Sequence, residues 1–251
     1  GVTISSYEWF VNDTARESNS SLVLDTTANP GWFQLGENTV TLVVVIDGVA
    51  YSQQFTFTVV QYAVRGELDT DFDGDGYALH DSAAGGGGDD TCFELTMDGD
   101  GKVLATGFSV NASGNRDMTI WRYNADGSPD TTFGGDGYVT HDNAAGGNST
   151  DAAKGLTVDG SGRIIVAGRS DNSTDRDMAV WRYDSNGSLD TSFGSNGYLV
   201  YDNGADDYAI AVTVDGEGNI LVTGFRSPSA SEPEDMIIWR YNPDGSPDTT
   251  F

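Results

Sequence analysis

The sequence predicts an all-β chain: four-stranded blades of the β-propeller type, about three of them and so an incomplete ring, behind a different strand-rich segment. Three observations predict it. The motif Asp-x-x-Phe-x-x-x-Gly-Tyr recurs at Asp69–Tyr77, Asp130–Tyr138 and Asp190–Tyr198, and a fourth copy runs from Asp248 to Phe251. Its phenylalanines, Phe72, Phe133, Phe193 and Phe251, are spaced 61, 60 and 58 residues apart. Such a period marks an array whose unit cannot bury its apolar face alone. The third observation is composition: 33 glycines, with Asp, Asn and Gly clustered between short apolar runs, favour strands joined by tight turns.

Residues 1–62 form a separate module with apolar or alternating runs at Ser6–Val11, Ser21–Leu24, Thr39–Ile46 and Tyr51–Val60. Asp47-Gly48 between the last two runs is a hairpin signal. Residues 63–251 carry the array, with units at about 65–126, 127–186 and 187–251. In the third unit the expected strands are Gly197–Asp202, Ile210–Asp215, Asn219–Phe225 and Asp235–Tyr241. The middle pair is joined by Asp215-Gly216-Glu217-Gly218, matched by Asp98–Gly101 and Asp159–Gly162. The last strand is nearly the same in every unit: Asp117–Tyr123, Asp177–Tyr183, Asp235–Tyr241. Alternation sets Met118, Ile120 and Arg122 on one face and Thr119, Trp121 and Tyr123 on the other. Large residues on both faces predict a strand held between neighbouring sheets.

Two resemblances follow from these residues. Trp9, followed by Leu35-Gly36-x-x-Thr39-Val40-Thr41-Leu42, resembles the C-terminal strands of PKD and other immunoglobulin-like modules. It implies a partial β-sandwich whose first strands are missing or reduced to Gly1–Ser5, and a spacer role. The string Trp-Arg-Tyr-Asn-x-Asp-Gly-Ser-x-Asp-Thr-x-Phe-Gly at Trp121–Gly134, with Val-Asp-Gly-x-Gly-x-Ile-x-Val-x-Gly at Val158–Gly168, resembles the bacterial delta-60 repeat. That resemblance covers residues 65–251. It implies propeller-like blades in a large secreted or surface protein, and brings no substrate and no catalytic residues.

Candidate chemistry is sparse. Asp69-x-Asp71-x-Asp73-Gly74, with Asp75, matches the opening of a calcium loop, where spaced carboxylates wrap a hard cation. The twelfth position is His80 in place of a bidentate Glu, and later copies lack the acidic row, so a solvated acidic turn is the competing reading. Asp98 and Asp100 are a second place for such a contribution. His80 and His141 share a repeat position with Tyr201, so a ring of metal ligands competes with a polar residue at a strand end. Arg122, Arg182 and Arg240 are read as staples, each guanidinium meeting Asp130, Asp190 or Asp248; lining a channel for an anion is the alternative. Trp121, Trp181 and Trp239 are read as core between blades. Cys92, the only cysteine, is read as a small buried strand residue and allows no intrachain disulfide.

The net charge of −27 is unsuited to nucleic acid or anionic membrane. No catalytic residue is assigned, because no Ser-His-Asp, Cys-His or phosphate-cradling pattern stands out. The insertions Ser82–Asp90, Asn143–Asp151 and Ser227–Glu234 differ between units and are the expected binding loops. The expected function is a non-catalytic extracellular scaffold or adhesion segment of a larger bacterial surface protein, presenting those loops to a protein or glycan. The alternatives are part of a propeller enzyme acting on extracellular polysaccharide, and a calcium-stiffened stalk. Expected partners exclude nucleic acid and membrane insertion and include self-association that completes the ring.

Overall fold

The computed structural model of the protein describes residues 4–11, 14–17, 36–46, 49–59, 68–227 and 232–251. Among the described residues there are fifteen strands and no helix. The chain divides into two compact units, Gly1–Glu67 and Leu68–Phe251.

In the first unit β1 (Ile4–Val11), β2 (Thr14–Glu17), β3 (Gly36–Ile46) and β4 (Val49–Val59) form one antiparallel sheet, ordered β2-β1-β3-β4. The β3–β4 ladder is unbroken from Ile46↔Val49 to Gly36↔Val59, so a two-residue connection closes it. Asp47-Gly48 and the Ser21–Leu24 run lie outside the described residues. A sandwich needs a second layer, and the described residues supply one sheet.

The second unit contains three antiparallel meanders. β5 (Gly85–Met97), β6 (Val103–Asn111), β7 (Arg116–Tyr123) and β8 (Tyr138–His141) form the first sheet. β9 (Asp151–Val158), β10 (Ile164–Asp171), β11 (Arg176–Tyr183) and β12 (Tyr198–Tyr201) form the second. β13 (Asp206–Val214), β14 (Ile220–Ser227) and β15 (Asp235–Tyr241) form the third.

Repeat and sheet are out of phase, which corrects the expected strand order. The Gly-Tyr strand that opens each sequence repeat closes the preceding sheet: Tyr198 pairs with Trp181 and Val200 with Ala179. The Trp-Arg-Tyr strand is therefore third, not fourth. The cause is local. Asp190 N–H donates to the Arg182 carbonyl and Arg182 N–H to the Gly197 carbonyl, at 2.9 Å each, so the Asp-x-x-Phe turn folds back onto the strand it left.

Neighbouring sheets meet face to face, with β9 packed on β5, β6 and β7, and β13 on β9, β10 and β11. Leu104, Met118, Ile120 and Phe133 of one sheet and its turn share a core with Leu156, Val166, Trp181 and Tyr183 of the next. Ile165, Met178, Val180 and Phe193 then meet Val212, Val222, Trp239 and Tyr241 in the same way. The two outer faces keep this chemistry but stand open. Leu95 is 66% exposed where Leu156 is 4%, and Met236 is 74% exposed where Met178 is 0%. Cys92 corrects its expectation for this reason: it is exposed on the open face, while its counterparts Ala153 and Ala209 are buried.

Each first strand bends at a bulge, with register shifts at Cys92/Glu94, Ala167/Gly168 and Ala209/Ala211. Opposite it stands a glycine. A Cβ on Gly107, Gly168 or Gly224 would lie 1.7, 2.0 or 1.7 Å from the carbonyl oxygen of Thr91, Ala152 or Tyr208. The bulge admits no side chain there, and it re-aims the first-strand residues beside it.

Candidate binding site

The first and second strands of the three sheets surround a cleft of about 330 Å³. Three ladder pairs at the same register, Thr91↔Phe108, Ala152↔Arg169 and Tyr208↔Phe225, supply Phe108, Ala152, Arg169, Tyr208 and Phe225 to it. Two positions along from Thr91, Ala152 and Tyr208, the first strands place Phe93, Lys154 and Ile210 on the same lining. The backbone repeats while the chemistry at each position changes.

Cations and rings interleave across the seams. Lys154 Nζ sits 3.1 Å from the Phe93 ring centre, and the Arg116 guanidinium 4.3 Å from that of Phe108. Arg169 and Arg176 flank Tyr208 at 5.4 and 5.5 Å, and both donate to its hydroxyl. Tyr208 stacks on Phe225 at 4.6 Å. The chain has 12 Lys and Arg in all; Arg116, Lys154 and Arg169 line the cleft, with Arg176 against Tyr208, and Arg169 pairs with Asp171 and Arg176 with Asp206, both at 3.3 Å. Burial, then the charges of Arg169 and Arg116, push the Lys154 ammonium below its usual pKa. An anion entering the cleft would relieve that crowding. The lining contains no carboxylate, imidazole or thiol.

The other large cleft, about 360 Å³, is lined by Phe72, Leu79, His80, Leu95, Trp121 and Tyr123. It lies on the open face of the first sheet, where the later seams are filled by a neighbouring sheet. It has the chemistry of an unfilled seam.

The repeated arginines join elements far apart in sequence. Arg122 Nε donates to Asp130 Oδ2 at 2.8 Å, and its Nη1 reaches the Ser185 carbonyl of the next repeat. Arg182 does the same with Asp190 at 2.7 Å and the Pro243 carbonyl. Arg240 pairs with Asp248 at 3.0 Å and Asp215 at 2.9 Å. Against the burial that opposes it, bonds from Lys102 and Thr132 and the Arg122 charge hold the Asp130 carboxyl far below its usual range. Backbone bonds tie the same turns together: Gly134 N–H to Asn186 at 3.0 Å and Gly194 N–H to Asp244 at 2.9 Å. Trp121, Trp181 and Trp239 are buried, each with an Nε1–H that has no acceptor.

Asp69, Asp71, Asp73 and Asp75 lie exposed in one turn, and no three of their carboxylates come within 4.8 Å of one another. Two of them cap backbone instead: Asp69 Oδ1 accepts from Asp71 N–H, and Asp75 Oδ1 from Tyr77 N–H. Asp98 Oδ1 likewise accepts from the Asp100 and Lys102 amides. His80, His141 and Tyr201 do not form a metal-sized group; each sets its ring against Trp121, Trp181 or Trp239, at 6.2, 6.1 and 5.6 Å. The insertions are pinned. Asp90 accepts from Ser82 N–H and Asp151 from Asn143 N–H, both at 2.7 Å. Residues 228–231 of the third insertion lie outside the described residues.

Asp151 makes the stability of this region depend on pH. Burial, and less so the Asp142 charge, raise its carboxyl to about 6 from 3.8, against donors at Ser170, Asn143 and Ala144. Between those values the folded state binds more protons than the unfolded one, so this contribution falls as pH rises from about 4 to about 6 and is flat above. Asp151→Asn is expected to flatten the dependence of melting temperature on pH in that interval. An unchanged slope would contradict the assignment.

The cleft was not foreseen. The expected binding loops were the insertions, whereas the cleft is on the strands. The available signal was disagreement between equivalent positions: Phe93, Lys154, Ile210 and Phe108, Arg169, Phe225.

Three antiparallel meanders stacked face to face, without closure, define a β-propeller-type repeat protein. Residues 99–133, 160–193 and 218–251 match a family model described as "Domain of unknown function (DUF5122) beta-propeller". No match is found among curated proteins. Among solved structures, a fucose lectin from Kordia zhangzhouensis in complex with methyl-fucoside is similar at 14% identity and a TM-score of 0.37, covering 61% of this chain and 92% of that one. No helix among the described residues is long and apolar enough to cross a membrane.

Proposed function

We propose that this chain is a non-catalytic binding and scaffold segment of an extracellular surface protein, and that the cleft between its three sheets takes an acidic glycan. The observation that carries this reading is the concentration of scarce cations among aromatic rings, at positions where the repeat is otherwise kept. Rings offer flat apolar faces to a sugar, and Lys and Arg meet its carboxylate. A cleft of this size suits one or two sugar units. The enzyme alternative finds less support, since the lining holds no carboxylate, imidazole or thiol to act as acid, base or nucleophile. The extracellular setting is supported by the acidic composition and the delta-60 resemblance. The two open sheet faces, complementary halves of one seam, support docking of further blades or of a second copy that extends the ring.

Lys154→Ala tests the site. Losing a charge-assisted contact of about 1.5–3 kcal/mol should weaken binding of an oligogalacturonate at least tenfold. Added salt should narrow the gap between variant and wild type. Equal affinity for both proteins in calorimetry would move the site elsewhere.

A further inference from the structure

Four aspartates crowd the seam between the second and third sheets, outside the lining of the cleft. Asp175 lies in the β10–β11 turn, Asp177 on β11, Asp202 just after β12, and Asp207 on β13. Carboxylate oxygens of Asp175, Asp177 and Asp202 come within 4.8 Å of one another.

Two of the four groups are buried and incompletely bonded. Asp177 is 1% exposed; its Oδ2 accepts from Asn172 Nδ2 at 2.7 Å, and its buried Oδ1 has no donor. Asp207 is 0% exposed; its Oδ1 meets Asn203 Nδ2 at 3.5 Å, and its buried Oδ2 has no donor. Asp202 is exposed and opens the group to solvent, with Oδ1 accepting from Gly204 N–H at 2.7 Å. Among the described residues, none of Asp175, Asp177 and Asp202 has an ion pair. Arg176, next in chain, is taken by Asp206 and Tyr208. The Arg226 charge acts on Asp207.

We propose that Asp175, Asp177 and Asp202, backed by Asp207, hold one divalent cation of the calcium type. Carboxylates this close cannot all ionise without a counter-charge, and buried oxygens without donors need either a proton or a metal. The donors are all oxygen, with no thiolate or imidazole, which suits a hard cation over zinc. They come from separate backbone segments, which suits the looser coordination of calcium over the strict octahedron of magnesium.

The preceding seam shows what the group looks like without the extra charge. There Asn115 stands where Asp175 does, and its Nδ2 donates to the Asn148 carbonyl at 3.0 Å. Asp117, the counterpart of Asp177, has its Oδ1 bonded by Asn111 Nδ2 at 2.7 Å, and no metal-sized group forms. One ion per chain is therefore expected.

The test is calorimetric titration of the EDTA-treated, dialysed chain with calcium chloride in about 0.15 M NaCl, which screens the diffuse acidic surface. Wild type should take up one ion per chain and melt at a higher temperature in its presence. Asp202→Asn keeps the acceptor for Gly204 and changes an exposed group; it should weaken calcium binding at least tenfold. Asp175→Asn replaces it if the circular dichroism of that variant is not native. Asp75→Asn should bind as wild type does. The proposal is overturned if wild type takes up no calcium, if neither seam variant changes uptake, or if Asp75→Asn abolishes it.

Discussion

Arg182→Ala is expected to cost about 3–5 kcal/mol, the usual penalty for removing one partner of a buried ion pair. The guanidinium is 3% exposed against an Asp190 side chain at 12%, and its far edge meets the Pro243 carbonyl of the next repeat. Alanine leaves Asp190 inside without its cation and at once removes a tie across the seam between the second and third sheets. The plane of Arg182 also lies 4.5 Å from the Phe193 ring centre, so packing is lost with the charge. Lysine cannot reach both the carboxylate and the carbonyl with one ammonium, so Arg182→Lys should recover only part of the loss. Chemical denaturation of the three proteins checks this, and a loss below about 1 kcal/mol for alanine would reduce the pair to the level of a surface ion pair.

Trp181→Ala should cost a similar amount, about 3–5 kcal/mol, because it empties the centre of the first seam. Trp181 is fully buried and shares its core with Leu104, Met118, Ile120 and Phe133 of the preceding sheet and its turn. Nothing polar is lost, since its indole N–H has no acceptor. Trp181→Phe should accordingly retain most of the stability, while alanine melts both sheets earlier. If phenylalanine were as damaging as alanine, the indole N–H would have a partner that this packing does not supply.

The blade architecture was legible because it is written sixty residues at a time. The recurrent Phe and Trp-Arg-Tyr strings show which parts must meet, and the two apolar faces of Met118–Tyr123 show that a sheet lies on either side. Strand phase was not legible. Whether the Gly-Tyr strand opens one sheet or closes the one before depends on backbone bonds such as Arg182 N–H to Gly197, which any sequence can make. The arginines show the same limit. Asp130 and Asp190 lie eight residues from Arg122 and Arg182, within reach of inspection, but the Ser185 and Pro243 carbonyls lie about sixty residues on and carry no side-chain signature.

The cleft was hidden for the opposite reason. Attention to what the repeats share discards the positions where they differ, and Phe93, Lys154 and Ile210 differ completely. Only folding brings them to one wall. The bulges opposite Gly107, Gly168 and Gly224 turn that wall inward, and the register places Phe108, Arg169 and Phe225 beside it. Cys92 was misjudged by the same logic in reverse: its repeat position is buried wherever a sheet precedes it, and the first sheet's outer face is open.

One calorimetric comparison decides whether the cleft is an anionic-sugar site. The intact chain would be titrated with an oligogalacturonate and, separately, with a neutral cello-oligosaccharide of equal length at moderate salt. The prediction is saturable binding of the acidic sugar at one site per chain, lost on combining Lys154→Ala with Arg169→Ala, and little heat from the neutral sugar. Equal binding of both sugars, or acidic binding untouched by the double substitution, would contradict it.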